Sequence, residues 1–311
     1  MRRVRDAVIT AVREHGMWAH GDAVTVAASG GVDSMVLLHI LVHTQGLHGG
    51  RLRVVTVDHG TRDGSAQDAQ WVAEVSAEWG VPCRVVHAAL GADASEATCR
   101  TARRAALTQE PAVAVVLAHH ARDQVETLLI RLMRGTGPRG LPGMVPFRAP
   151  WARPMLGVSH ADVLAYARDQ AVPFREDPSN RSDRFLRNRV RHELLPLIDA
   201  IRPGSVSAMA RTAELMGEES TWLDAEARAV DPGLPWPVAF LTDAPDPLVR
   251  RAVSMAEPGL GHRHIDALRS LAQRGTGQIQ LPNGRVAIAE AGCVRTCPVQ
   301  DSPSTGGACD T

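Results

Sequence analysis

The sequence predicts an α/β fold: a doubly wound parallel sheet, then a helical segment and a small C-terminal domain. Three observations predict it. Short apolar runs alternate with helical stretches as far as Arg134, and that alternation makes parallel strands joined by helical crossovers. The residues of unusual chemistry, Ser29 to Ser34, Asp58-His59 and His119-His120, each follow an apolar run. Ligands in such sheets bind at the carboxyl ends of strands. A chain of 311 residues is also long enough to bury a substantial core.

The elements follow in order. Residues 2–15 carry the periodicity of an amphipathic helix. Val24 to Ala28 is a first strand, broken by a Ser-Gly-Gly turn, and Met35 to Val42 is an apolar helix. Leu52–Val57 and Val81–Val86 are strands flanking a helix over Gln67–Trp79. Glu96–Leu107 reads as a helix, Ala112–Ala118 as a fourth strand and Asp123–Arg134 as the helix after it. Gly135 to Gly143, with four glycines and two prolines, is a loop. A helix over Ser159–Gln170 and an Arg- and Asn-rich stretch at 175–191 complete a catalytic domain of residues 1–203. Residues 204–300 form a helical linker and a small C-terminal substrate-binding domain. They comprise a helix over 204–230, a Pro-rich linker or irregular entry at 231–247, then two helices and a hairpin around Pro282-Asn283-Gly284. Residues 301–311 read as a disordered tail.

Composition excludes several chemistries. All 34 basic side chains are arginine and none is lysine. A Walker A lysine, a Schiff base and a lysine general base are therefore excluded. Phosphate must be held by backbone N–H groups, hydroxyls, arginine or metal. The five cysteines are scattered, which fits reduced thiols in the cytoplasm better than a disulfide framework. No apolar run is long enough for a membrane span. Net charge is zero but uneven: residues 122–211 hold 15 arginines against nine acids, and residues 212–311 hold eight against 13. A basic middle is a footprint for a polyanion or an ordinary solvated surface; charge alone does not separate the two.

Ser29-Gly30-Gly31-Val32-Asp33-Ser34 lies between a strand and a helix N-terminus. Backbone N–H groups and the helix dipole make such a turn an anion site. The Ser29 and Ser34 hydroxyls can donate to phosphate, and Asp33 can hold Mg2+ between phosphates. Asp123, Glu126 and Thr127 share one helix face, with His119 just before it. They can complete a metal site, orient a nucleophile, or simply cap the helix.

The Ser29–Ser34 pattern resembles the PP-loop of the ATP pyrophosphatase superfamily, which includes NAD, GMP and asparagine synthetases, tRNA thiolases and tRNA(Ile)-lysidine synthetases. The stretch from His119-His120 through Asp123-Gln124, Glu126-Thr127 and Arg134-Gly135-Thr136-Gly137 resembles the signature of the tRNA(Ile)-lysidine synthetases. So do Asp58-His59-Gly60-Thr61-Arg62, Glu96 to Arg103, Arg153-Pro154-Met155-Leu156, Glu176 to Asn180 and Phe185 to Arg191. The resemblance spans about residues 20–200. Thr61 stands where that family has leucine, and Arg104 where tyrosine is common.

The resemblance implies adenylation of the wobble cytidine of a tRNA(Ile) with a CAU anticodon, followed by attack of free L-lysine. It implies ATP and Mg2+ as cofactors and leaves the oligomeric state open. Ser29 to Ser34, Asp58 and His59 would bind ATP. Asp33 and Asp123 would hold the metal, and Asp33, Arg100, His119, Asp123 and Glu126 would carry catalysis. Arg103 would be a second arginine clamp beside Arg100, or part of a solvated helix face. Arg181, Arg187, Asn188 and Arg191 would touch tRNA, or else form salt bridges. Two other readings remain: another PP-loop tRNA modifier of the thiolase type, which the lack of a CxxC pair disfavours, and a silent tRNA- or nucleotide-binding paralogue.

Overall fold

Apolar side chains at alternate positions give the central sheet two faces to bury. Its strands are β1 (Ala23–Ala27), β2 (Arg51–Asp58), β3 (Cys83–His87), β4 (Ala114–Val116), β5 (Phe147–Arg148) and β6 (Trp151–Ala152). The order is β3-β2-β1-β4-β6-β5, parallel except where β5 returns against β6. The computed structural model describes residues 2–61, 63–91, 94–109, 111–176 and 186–301.

Val24, Val26, Val54 and Val116 point into one core. There they meet α1 (Arg2–Glu14), α2 (Val32–His43), α4 (Ser65–Glu78) and α7 (His160–Asp169). The short α3 (Gln45–His48) follows α2. Val55 and Val115, one residue out of phase, point the other way onto Leu107 of α5 (Glu96–Leu107). The sheet is thus wound on both faces. The hairpin of β5 and β6 was not anticipated: two-residue strands around Ala149-Pro150 leave no alternation to detect. β1 and β4 are sheet neighbours, with Val26 opposite Val116, although two strands of sequence separate them. Strand order reverses there, and the crevice at such a point is where doubly wound sheets bind ligands.

After β4 comes α6 (Ala121–Met133), and after α7 come α8 (Leu186–Arg189), a π-helical turn (Val190–Leu194), α9 (Leu195–Ile201) and α10 (Ser205–Val230). Val125 of α6 packs on Val190 and Leu195 in a small separate core.

The chain divides into two compact units, residues 1–217 and 218–311. The second contains β7 (Trp236–Pro237), α11 (Val238–Asp243), α12 (Asp246–Ala256), α13 (His262–Arg274), β8 (Gly277–Leu281), β9 (Arg285–Glu290) and β10 (Cys293–Pro298). The sheet runs β7-β10-β9-β8, antiparallel throughout. The Pro-rich stretch expected as a linker or irregular entry is part of this unit's regular structure. It supplies β7, α11 and the start of α12, and Trp236 is fully buried at the centre of this unit's core. One indole outweighs the local proline content because it buries so much apolar surface. Asn283 and Gly284 turn the chain between β8 and β9 with positive φ. Cys293 and Cys297 share one face of β10, about 14 Å apart at strand rise, too far to hold one metal ion. Residues 302–311, the body of the expected tail, lie outside the described residues. Among the described residues no helix is long and apolar enough to cross a membrane.

His39 of α2 is buried, accepts or donates through Nδ1 to Tyr166 Oη at 3.1 Å, and stacks on His43 with ring centroids 4.0 Å apart. Burial, then the His43 charge, pulls its pKa down to about 4. An unfolded histidine titrates near 6.5, so between about 4 and 6.5 the unfolded chain binds the extra proton. Stability should fall as pH drops through that window. Urea midpoints near neutrality and near pH 5 should show the loss, and His39→Asn should shrink it; equal losses in both proteins would assign the titration elsewhere.

Candidate active site

β1 ends at Ala27 and the chain turns through Ser29, Gly30 and Gly31 into α2. Gly30 has φ +84°, and a Cβ there would sit 3.2 Å from Val72 Cγ2, so the turn requires glycine. Ser29 N–H donates to Ser34 Oγ at 3.1 Å, and Ser34 Oγ donates to Gly31 C=O at 2.9 Å. Ser34 is buried, and its hydroxyl proton is engaged inside the turn. No side chain caps α2, so the N–H groups of its first turn, Val32 and Asp33 among them, keep their positive pole for an anion. Arg175 braces the turn from outside: its N–H donates to Gly30 C=O at 2.9 Å and its guanidinium meets Asp68 at 2.8 Å and stacks over Trp71.

β4, beside β1, leads into His119 and His120. His120 is the N-cap of α6. Its Nδ1 accepts Arg122 N–H at 3.2 Å, while its own N–H donates to Asp123 Oδ2 at 3.0 Å. That reciprocal cap aims Nε2 at Asp33, 3.5 Å from Oδ1. His160, the first residue of α7, approaches the same oxygen at 3.8 Å through its Nε2. Burial alone would lower the His120 pKa, but the Asp33 carboxylate 3.5 Å away and the charge of Asp123 outweigh it and raise the value. His160 is lowered, by burial first and then by His120, Arg122 and Arg191. His119 is lowered to about 4 by burial, with Arg153, Arg187 and Arg100 adding to the effect against Asp123. At neutral pH it is an uncharged imidazole.

Asp123 and Glu126 belong to a buried ion cluster. Arg187 reaches Glu126 at 2.8 Å and Asp123 at 3.3 Å; Arg191 reaches Glu126 at 2.6 Å and Asp123 at 2.9 Å. Glu126 has no exposed surface. Burial pushes the Asp123 pKa up, but His120, His119 and the two arginines together bring it down to about 2. Of the two uses considered for Arg187 and Arg191, RNA contact and salt bridging, the structure engages both in salt bridges. A guanidinium beside two buried carboxylates is satisfied there, and its removal would strand their charge.

Several sequence-selected residues sit at the same edge of the sheet without joining Asp33. Asp58, buried at the end of β2, accepts Gly60 N–H at 2.9 Å and faces His87 Nδ1 at 3.0 Å. Burial opposes its ionisation, yet Ser65, His87 and the Gly60 N–H hold its pKa below the ordinary value. His59 lies 3.3 Å from an Arg103 nitrogen. Arg100 is close enough for its charge to act on His119. Asn188 lies within α8, and Arg181 falls outside the described residues. Asp123, expected to share a metal with Asp33, is engaged by Arg187 and Arg191; among the described residues, ligand atoms of Asp33, His120 and His160 lie within 4.8 Å of one another. Sequence reasoning missed His160. Its only local signal is the Ser159 cap, which marks a helix start and says nothing of what the helix faces.

A family model described as a PP-loop domain matches residues 5–198. The chain is 36% identical over 293 residues to the tRNA(Ile)-lysidine synthase of Solibacter usitatus, covering 86% of this chain and 65% of that protein. It is 38% identical over 281 residues to that of Nocardia farcinica, covering 84% and 86%. It thus spans just under two thirds of the Solibacter protein and nearly all of the Nocardia one. Among solved structures, the U34-tRNA thiolase NcsA from Methanococcus maripaludis matches with TM-score 0.57 at 16% identity, over 70% of this chain and 79% of that one. That likeness is one of fold.

Removing one member of the buried ion cluster leaves uncompensated charge, so Glu126→Ala should cost about 3–5 kcal/mol of stability. Asp33→Ala, at a side chain about a third exposed and outside that cluster, should change stability by less than about 1 kcal/mol. Urea denaturation of the two variants against the parent checks both; a mild Glu126→Ala would show that the arginines find other partners.

Proposed function

The chain belongs to the tRNA(Ile)-lysidine synthase family of PP-loop proteins, and from that premise we propose that it converts the wobble cytidine of a CAU-anticodon tRNA(Ile) to lysidine. In the first step the ring carbonyl oxygen of the cytidine attacks the α-phosphorus of ATP, the bond to the β-phosphate breaks, and pyrophosphate leaves. In the second the amino group of free L-lysine attacks the activated ring carbon, AMP leaves, and the nitrogen loses its proton. Both substrates, with ATP, are available in the cytoplasm, where we place the reaction.

The observation that carries this reading is the facing of Asp33, on an uncapped helix N-terminus, by His120 at the start of α6. The first-turn N–H groups of α2 would hold the phosphates, with Gly30 and Gly31 allowing close approach. Arg100 would neutralise departing pyrophosphate. His119, held uncharged, would present an imidazole near the base without adding repulsion to a lysine ammonium. Asp123 and Glu126 act indirectly, by fixing the start of α6 and with it His120. Mg2+ arriving with ATP would find one carboxylate oxygen on Asp33, and when bound it supplies charge neutralisation for the phosphates. A thiolase reading gains nothing from the structure: Cys293 and Cys297 are about 14 Å apart along β10.

Incubating the protein with ATP, Mg2+, L-lysine and a tRNA(Ile) transcript should release AMP and pyrophosphate only when both lysine and tRNA are present. Mass spectrometry of the digested tRNA should find lysidine at the wobble position. Asp33→Ala should lower the rate roughly 100-fold or more. ATP binding without lysidine formation by the parent protein would leave the silent-paralogue reading in its place.

A further inference from the structure

We infer that Asp33, His120 and His160 form a binding site for a borderline divalent cation, of the Zn2+, Co2+ or Mn2+ class, that fills without ATP. The inference deepens the reading of the site just proposed and shares Asp33 with it. Three elements each contribute one ligand atom: α2 gives a carboxylate oxygen, and the starts of α6 and α7 give one Nε2 each. The two imidazole nitrogens lie 3.5 and 3.8 Å from the same Asp33 oxygen. Ligands about 2.0–2.1 Å from a tetrahedral zinc are about 3.4 Å apart. The Asp33–imidazole separations therefore already approach those of a bound site.

Two further features fit an ion. Asp33 Oδ1 is buried and accepts no hydrogen bond among the described residues, and a buried carboxylate oxygen left so is costly. Behind His120, Nδ1 lies 3.6 Å from Asp123 Oδ2. A carboxylate behind a ligating imidazole fixes the ring and accepts its second proton. On ligation through Nε2, the Nδ1 proton would turn to Asp123 and displace the 3.2 Å contact from Arg122 N–H. Asp123 is itself held by Arg187 and Arg191, so the support is rigid.

Donor chemistry selects the ion. Mg2+ prefers an octahedron of oxygens and keeps its waters, and here it is offered one carboxylate. Two imidazoles and a carboxylate suit zinc and its neighbours. Three protein ligands leave at least one position open, towards the turn that would hold phosphate. The Asp33 and His160 side chains are each about a third exposed, which gives the ion a path in.

The test uses the full chain without an affinity tag, and the metal alone. Equilibrium dialysis against Co2+ in the absence of ATP should show uptake of one ion per chain, with visible d–d bands of four- or five-coordinate cobalt. Excess Mg2+ should not displace it. His160→Ala should weaken uptake at least about 10-fold while its thermal unfolding stays close to the parent's. His160→Asn should do the same without removing the polar group. Uptake that is absent, that Mg2+ displaces, or that survives both substitutions would overturn the site and leave direct histidine–aspartate contacts in its place. Neither tRNA nor lysine enters the measurement. A chain that binds Co2+ and makes no lysidine would sink the proposed function alone, and the converse result would sink the cation site alone.

Discussion

Two carboxylates on one turn of α6, closed by two arginines from α8 and the π-helical turn after it, set the geometry on which the site depends. Asp123 and Glu126 are buried, and buried carboxylates persist only when paired and hydrogen-bonded. Arg187 and Arg191 each bridge both of them, so the cluster is neutral and every member is held by two others. The consequence reaches beyond the cluster. Asp123 Oδ2 takes the His120 N–H, that cap fixes the first turn of α6, and the ring it orients meets Asp33 across the crevice between β4 and β1. A defect in the ion cluster would therefore be felt at the phosphate turn.

The Ser29–Ser34 turn is stiff for reasons of its own. Gly30 occupies a left-handed conformation against Val72, Ser34 fastens the turn from inside, and Arg175 fastens it from outside. Arg175 ties to the turn and Arg187 to α6. The two walls of the site are joined by the sheet beneath, where β1 pairs with β4.

Much of this was legible in the sequence. The Ser29–Ser34 turn, α5 and α6 could be read because local pattern decides them: glycines where the backbone needs them, and apolar residues at helical spacing. The direction of the Ser34 hydroxyl was not legible, because whether a serine faces a ligand or its own turn depends on the fold of five residues at once. Arg187 and Arg191 showed their charge but not its destination. An arginine-rich stretch looks the same whether its partner is a phosphate outside or a carboxylate inside, and that partner sits some 60 residues away. His160 was invisible for a related reason: α7 must pack on α2 before its first residue can approach Asp33. Trp236 carried the opposite lesson, since its prolines spoke louder in the sequence than the core position it fills.

The chain's exclusive use of arginine gains a meaning from the ion cluster. A lysine ammonium gives up its proton near pH 10. A frame built on lysine ammonium groups would lose its own charge over the same range. Guanidinium groups keep theirs up to about pH 12, and at Arg191 the surrounding carboxylates outweigh burial and raise the value. Arg153, outside the cluster and brought down to about 10 by burial and by the charges of Arg100 and Arg104, shows the contrast. The arginine frame around Asp123 and Glu126 thus holds its charge over a range in which lysine ammonium groups would lose theirs.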